Sequence, residues 1–379
     1  MSQTLSVPEG YKLTEVGVIP GDWEVARLDS VIDFLDGRRR PVKDTDRSKM
    51  RGDIPYYGAS GIVDYVNDFL FDEHLILLGE DGENILSRNC RLAFIVSGKV
   101  WVNNHAHVLK PKLDCEIGYI AEYLESLDYS QYNSGTAQPK LNKQVCSGIP
   151  VVKPPLPEQR AIATALSDVD ALLAKIDQLI VKKRDLKQAA MQQLLSGQTR
   201  LPGFSGEWAV KRLGDICSMK SGESITSANI DEHSKFPCYG GNGLRGFASR
   251  YTHDGNYALI GRQGALCGNV LDIVGQFFAS EHAIVVTPLK QTDIHWLTIV
   301  LRKMNLNQYS ESSAQPGLSV VKLLVLTASV PPTDEQTAIA TVLADMDAEL
   351  AALEARQGKT RALKQGMIQV LLTGRIRLV

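Results

Sequence analysis

The chain has 379 residues, 44% apolar and 22% charged, ordinary globular material with length for two or three domains. Its 41 Lys and Arg nearly balance 43 Asp and Glu for a formal charge of −2, which excludes a generic polycation but leaves room for a local basic groove. No run approaches the ~18 consecutive apolar residues of a membrane span, and the opening Met1-Ser2-Gln3-Thr4-Leu5-Ser6 lacks the regions of a signal peptide, so a cytoplasmic location is expected.

In chain order, residues 1–153 read as a mixed, mostly β domain. Apolar runs such as Leu75-Ile76-Leu77-Leu78 and Leu92-Ala93-Phe94-Ile95-Val96 lie between glycines and polar turns, and a helix is expected around 117–128. His105 and His107 would share a strand face, but no third ligand stands at sensible spacing, so no metal is expected. Residues 154–200 read as a long helix. Residues 201–330 return to the β-rich pattern, with Ala283-Ile284-Val285-Val286 as a strand and a helix around 293–305, and 331–379 read as a second long helix. The six cysteines (90, 115, 146, 217, 238 and 267) show no paired spacing and read as reduced, mostly buried thiols.

An internal repeat decides the architecture. Shifting the sequence by 177 residues aligns 155–201 with 332–378 without a gap, and 24 of 47 positions are identical. The β-rich parts correspond more weakly: Trp23 with Trp208, Pro55 to Gly61 with Pro237 to Gly243, Gly79-Glu80-Asp81-Gly82 with Gly261-Arg262-Gln263-Gly264, and His105-Ala106 with His282-Ala283. Both repeated segments follow prolines and carry acidic residues in the first turn, as the helix dipole prefers. Ile162, Leu166, Val169, Leu173, Ile176 and Ile180 in the first, and Ile339, Leu343, Met346, Leu350 and Leu353 in the second, step by fours and threes, the narrow seam of a coiled coil. Gly197 and Gly374 fit C-terminal caps, and Gly358 and Gly366 should weaken the middle of the second helix.

Charge gives the direction of pairing. Residues 157–177 sum to −2 and 178–200 to +4, while the first half of the second helix carries −6 and its second half +6. Antiparallel packing brings opposite signs together; parallel packing opposes like signs. The expected fold is therefore α+β: two β-rich domains and two long helices forming an antiparallel coiled coil, with a pseudo-two-fold repeat.

No catalytic machinery stands out. Gly261-Arg262-Gln263-Gly264 lacks the Lys-Ser/Thr of a phosphate-binding loop, and no nucleophile motif appears. The segment Pro154-Pro155-Leu156-Pro157-Glu158-Gln159-Arg160-Ala161-Ile162-Ala163, its copy Pro331 to Ala340, the Leu-Leu-Ser/Thr-Gly endings and the two Ala-Gln-Pro-x-Leu segments resemble the DNA specificity subunit of type I restriction–modification systems. The resemblance covers essentially the whole chain. It implies target-recognition domains at 1–153 and 201–330 and helical spacers at 154–200 and 331–379. Each domain would read one half of a split, asymmetric double-stranded DNA target. Two methyltransferase subunits would dock on the helices, on the faces opposite the seam, and on the recognition domains, with motor–nuclease subunits completing the complex. The resemblance implies no catalysis and no cofactor in this chain, S-adenosylmethionine, ATP and Mg belonging to the partners, which methylate adenine N6 or cleave where this chain directs them.

Candidate DNA contacts each have a plainer alternative. Arg38, Arg39 and Arg40 with Lys43 form the densest basic cluster, expected on phosphates, although solvated surface arginines have the same pattern. Ser224 and Thr226 occupy the aligned segment of the second domain. Tyr57 and Ser60, and Tyr239 and Asn242, stand in equivalent glycine-containing loops suited to base edges or to turns. Arg262 and Gln263 carry donors suited to guanine and adenine; Gln138, Lys140 and Gln315 recur beside prolines, as phosphate holders or as folding constraints. Trp23 and Trp208 are expected in the core. A protein-binding scaffold and an enzyme with two diverged sites remain the competing readings.

Overall fold

A computed structural model describes residues 7–135, 137–264, 266–310 and 317–378. The chain forms two compact units whose boundaries, at Asp177/Gln178 and Glu354/Ala355, fall inside the long helices. Each unit therefore holds one β-rich domain, the first half of one long helix and the second half of the other.

In the first unit, one antiparallel sheet runs Ile32–Phe34, Ala106–Pro111, Leu75–Gly79, Ala93–Val96, and a second runs Gly61–Val66, Arg51–Gly58, Lys99–Val102, Phe71–Asp72. In the second sheet, Lys99–Val102 pairs parallel to Arg51–Gly58. The all-buried strand Leu75–Gly79 is the expected apolar run, and the expected helix is Ile117–Ser126. In the second unit the strands form one six-stranded sheet, in the order Cys217–Ser221, Ala283–Pro288, His253–Gly261, Val270–Ala279, Phe236–Gly240, Gly243–Ala248. The expected helix there is Ile294–Lys303. None of the six cysteines is bridged; Cys90 is exposed and the other five are buried.

The long helices are Leu156–Leu194 and Thr333–Leu371, 39 residues each. The repeated Glu-Gln pair explains how each one starts. In the first unit, Gln159 Oε1 accepts from the Glu116 N–H at 2.9 Å while its Nε2 donates to the Pro154 carbonyl at 2.8 Å. In the second, Gln336 does the same with Asp293 and Pro331, both at 2.9 Å. The adjacent glutamate is buried in both units: Glu158 accepts from Trp23 Nε1 and pairs with Arg377, and Glu335 accepts from Trp208 Nε1 and pairs with Arg200. Trp23 is fully buried and Trp208 half-buried, each holding the start of a helix. Gly197 and Gly374 end the helices in the left-handed region, at φ 72° and 69°.

Within each unit the two helix halves run antiparallel. In the first, Glu158, Asp170 and Asp177 meet Arg377, Lys364 and Arg361; in the second, Glu335, Asp347 and Glu354 meet Arg200, Lys187 and Arg184. Shifting each first-unit number by 177 residues yields its second-unit counterpart, so the charge polarity read from the sequence is realised as two matching sets of pairs. Ile162, Leu166, Ile176, Ile180, Ile339, Leu343 and Leu350 are buried, and Val169, Leu173, Met346 and Leu353 half-buried. The second helix continues unbroken through Gly358 and Gly366. Side-chain bonds from Gln357, just before Gly358, to Asp177 and from Lys364, between the two glycines, to Asp170 offset their low helix propensity.

Candidate nucleic-acid interface

In the first domain four segments meet at one exposed place. They are the hairpin tip at 58–61, the loop at 79–82 after a buried strand, residues 103–105 before the central strand, and the segment 138–141. Glu80 N donates to His105 O at 2.8 Å, Leu141 N to Glu80 O at 2.7 Å and Asn103 N to Tyr57 O at 3.1 Å, and Asp81 bridges Lys140. The second domain repeats this framework bond for bond. Arg262 N donates to His282 O at 2.9 Å, Leu318 N to Arg262 O at 2.9 Å and Ser280 N to Tyr239 O at 2.8 Å, and Gln263 bridges Gly317. Tip and loop lie so close that a Cβ at Gly79 would stand 2.7 Å from the Ala59 carbonyl oxygen, and one at Gly261 would strike that of Gly241.

On this shared backbone the side chains differ. Glu80 faces Arg262, Asp81 faces Gln263, Ser60 faces Asn242 and Lys140 faces Gly317 in the alignment, while His105 and His282 coincide. The framework gathers most of the expected contacts: Tyr57, Ser60, Gln138 and Lys140 in one domain, Tyr239, Asn242, Arg262 and Gln263 in the other. Tyr57 and Tyr239 are half-buried, with ring centroids 6.0 Å from Phe94 and 6.1 Å from Phe277, so they brace the hairpins. Ser60, Gln138, Asn242 and Gln263 are exposed, and Lys140 Nζ lies 3.4 Å from Glu80 Oε1. Arg262 Nη1 donates to Ser221 Oγ at 3.1 Å. Ser224 and Thr226 are exposed on the neighbouring loop, where Thr226 Oγ1 accepts from Asn229. Gln315 lies outside the described residues.

The arginine run splits into three environments. Arg39 is turned inward: its guanidinium donates to Glu80 Oε2 at 2.6 Å and to the Ala106 carbonyl at 2.8 Å, with its side chain 14% exposed. Arg38 is committed to Glu73 and the Leu70 carbonyl and lies over the Phe71 ring. Arg40 points outward with no side-chain partner among the described residues, its backbone fixed by Val102 and by Trp101 Nε1. Lys43 is exposed just before a short helix, Asp44–Arg47.

Beneath the framework lies a buried charge cluster that sequence reading did not find. His107 Nδ1 stands 2.7 Å from Asp36 Oδ2 and Nε2 stands 2.8 Å from the Leu141 carbonyl. A carboxylate and a carbonyl can only accept, so both ring nitrogens donate and the ring is an imidazolium. Burial, the largest single influence, would lower its pKa, but the bonds and charges of Asp36 and Cys146 together outweigh it and push the value up to about 10. Burial likewise works against the Asp36 carboxylate, and the bond to His107 holds it below its ordinary range. His105 and His107 thus share no environment: one is exposed ahead of the strand, on Asp81, and the other is buried within it. Among the described residues, no group of three or more His, Cys, Asp or Glu side chains is arranged to hold a metal, and no helix is long and apolar enough to cross a membrane.

A family model described as the type I restriction modification DNA specificity domain matches residues 20–182 and again 205–363. The type I restriction enzyme EcoprrI specificity subunit of Escherichia coli is 48% identical over 141 residues, covering 36% of this chain and 35% of that protein. The shared stretch thus spans about a third of that relative's length. The MjaVIII specificity subunit of Methanocaldococcus jannaschii is 24% identical over 413 residues, covering 95% of this chain and 94% of the relative. The crystal structure of a type I restriction–modification system S subunit from M. genitalium shares the fold, with a TM-score of 0.67 at 17% identity over 98% of this chain and 99% of the other. The chain belongs to the family defined by the type I restriction modification DNA specificity domain and carries that domain twice, once in each half of its internal repeat.

Proposed function

We propose that this chain is the non-catalytic sequence-recognition subunit of a type I restriction–modification complex, each domain reading one half of a split, asymmetric double-stranded DNA target. The observation that carries the reading is the interface itself: one backbone framework occurs twice with different exposed side chains, as two readers of different half-sites require. Adenine methylation and cleavage belong to partner subunits, which bring S-adenosylmethionine, ATP and Mg, and the complex works in the cytoplasm. Two methyltransferase subunits dock on the long helices and the adjoining recognition domains. Support for two like partners comes from equivalent grooves between recognition-domain helix and long helix, one of about 820 Å³ with Ala163, Thr164 and Asp170, the other of about 270 Å³ with Ala340, Thr341 and Asp347.

Exchanging residues 202–330 for the matching domain of another family member tests the reading, with methylated sites mapped in cells that also make the modification partners. One half of the methylated sequence should change and the other stay. An unchanged sequence would sink the proposal.

The interface also sorts the basic residues. Arg40→Ala and Lys43→Ala should each reduce the slope of log affinity against log salt by about 1, as loss of one phosphate contact does. Arg39→Ala should instead lower the unfolding midpoint, because it strips Glu80 and Asp36 of an internal partner. Salt titrations of the assembled complex on its target check the first pair, and urea unfolding checks the third.

A further inference from the structure

We propose that His105 reads a base edge in the first domain, with Asp81 fixing which ring nitrogen does the reading, and that Gln263 is the reader at the matching place in the second. The inference rests on the DNA-recognition reading above and assigns roles to residues of the shared framework.

His105 is held from three sides. Its backbone N–H donates to Asn103 Oδ1 at 2.8 Å, its carbonyl accepts from Glu80 N at 2.8 Å, and its ring Nδ1 stands 2.8 Å from Asp81 Oδ2. The carboxylate only accepts, so Nδ1 carries the hydrogen, and in the neutral tautomer this leaves Nε2 a bare acceptor. Among the described residues nothing meets Nε2, and the side chain is 50% exposed. The result is a single acceptor at a fixed point on the exposed framework. In the major groove its complements are the amino groups, adenine N6 and cytosine N4, whereas guanine and thymine present oxygens there that would repel it.

The second domain keeps the histidine and alters its brace. His282 Nδ1 stands 3.1 Å from Gln263 Oε1, and Nε2 stands 3.3 Å from Glu281 Oε1. Both nitrogens face oxygens that only accept, which the protonated ring alone can satisfy, and with both engaged this ring positions rather than reads. What projects instead is the Gln263 amide NH2, which has no partner among the described residues. An NH2 group donates, and its major-groove complements are guanine O6 and N7, thymine O4 and adenine N7. On one backbone, therefore, the first domain offers an acceptor from the histidine and the second a donor from the residue that braces it, which is a physical route to an asymmetric target.

The test uses the full chain with its modification partners in cells free of other adenine methylation, the methylated sites being read by sequencing. With His105→Gln, one position of the half-site read by the first domain should relax, discrimination there falling about tenfold, the scale of one good base contact, while the other half-site stays unchanged. Asp81→Asn can donate to Nδ1 and move the ring hydrogen to Nε2, so the same position should relax or turn toward guanine or thymine. Gln263→Ala should relax a position in the other half-site only. A His105→Gln chain that no longer directs methylation is judged through Asp81→Asn, in which the ring remains. An unchanged target in Asp81→Asn, or in His105→Gln where methylation persists, overturns the proposal. So does a uniform loss of affinity with a smaller salt slope, the mark of a phosphate contact. A wild-type chain that directs no defined sequence would overturn the DNA-recognition reading instead, so the two failures are distinguishable.

Discussion

An Arg377→Met chain should unfold at a clearly lower denaturant midpoint, with a loss of about 3 kcal/mol. Glu158 is fully buried at the start of the first long helix, and Arg377 meets both of its oxygens, at 2.6 and 2.7 Å, while also reaching Asp22. Removing the guanidinium leaves a buried carboxylate with only Trp23 Nε1 as a donor. The cost of an uncompensated buried charge far exceeds the value of an exposed pair. Arg200→Met should behave alike, because Glu335 is 1% exposed and has the same partners, Arg200 and Trp208. Arg184→Met is the contrast: its pair with Glu354 is roughly half exposed on both sides, so the loss should stay near 0.5 kcal/mol. Changing Glu158 to Gln in the Arg377→Met chain should restore part of the stability, since a neutral amide is easier to bury. Equal midpoints for Arg377→Met and Arg184→Met would contradict the account.

The second large effect is the pH dependence of the His107 cluster. A histidine whose pKa is raised on folding contributes stability that is complete below its unfolded value, about 6.5, and is lost as pH rises toward the folded value. With the folded value at about 10, the contribution disappears between pH 6.5 and 10. A shift of that size corresponds to about 5 kcal/mol at the acid end of the window. Urea unfolding of the wild type and of His107→Gln, compared at fixed pH values, isolates it from the titration of exposed groups. The wild type should be the more stable by several kcal/mol near pH 6, and the two curves should converge near pH 10. A difference that stays constant across the window would show that the ring is not charged in the folded state. The second domain has Ile284 where the first has His107, so it should show no such dependence.

The helices were legible in the sequence because their determinants are local and periodic. Apolar residues at steps of three and four make the seam, glycines cap the ends, and acidic and basic halves set the direction. The repeat made the β-rich parts comparable, which is why the hairpin tips and the Arg262-Gln263 loop could be picked out in advance. It also carried a signal that went unused, since His105-Ala106 matches His282-Ala283 across otherwise diverged segments. The arginine run divides for a physical reason. Three adjacent basic residues look equivalent, yet a turn at Asp36–Arg38 aims Arg39 at Glu80 and the Ala106 carbonyl, 41 and 67 residues away in sequence. Of the three, only Arg40 is left outward without a side-chain partner among the described residues.

By itself the sequence determined the duplication, the two long helices, their antiparallel sense and the two β-rich domains, all fixed by periodicity, charge halves and self-similarity along the chain. Tertiary structure decided which polar side chains brace the framework and which are left exposed on it. That choice depends on segments far apart in sequence closing into one framework, where a carboxylate such as Asp81 or Asp36 fixes a ring proton, and no local pattern encodes the partner.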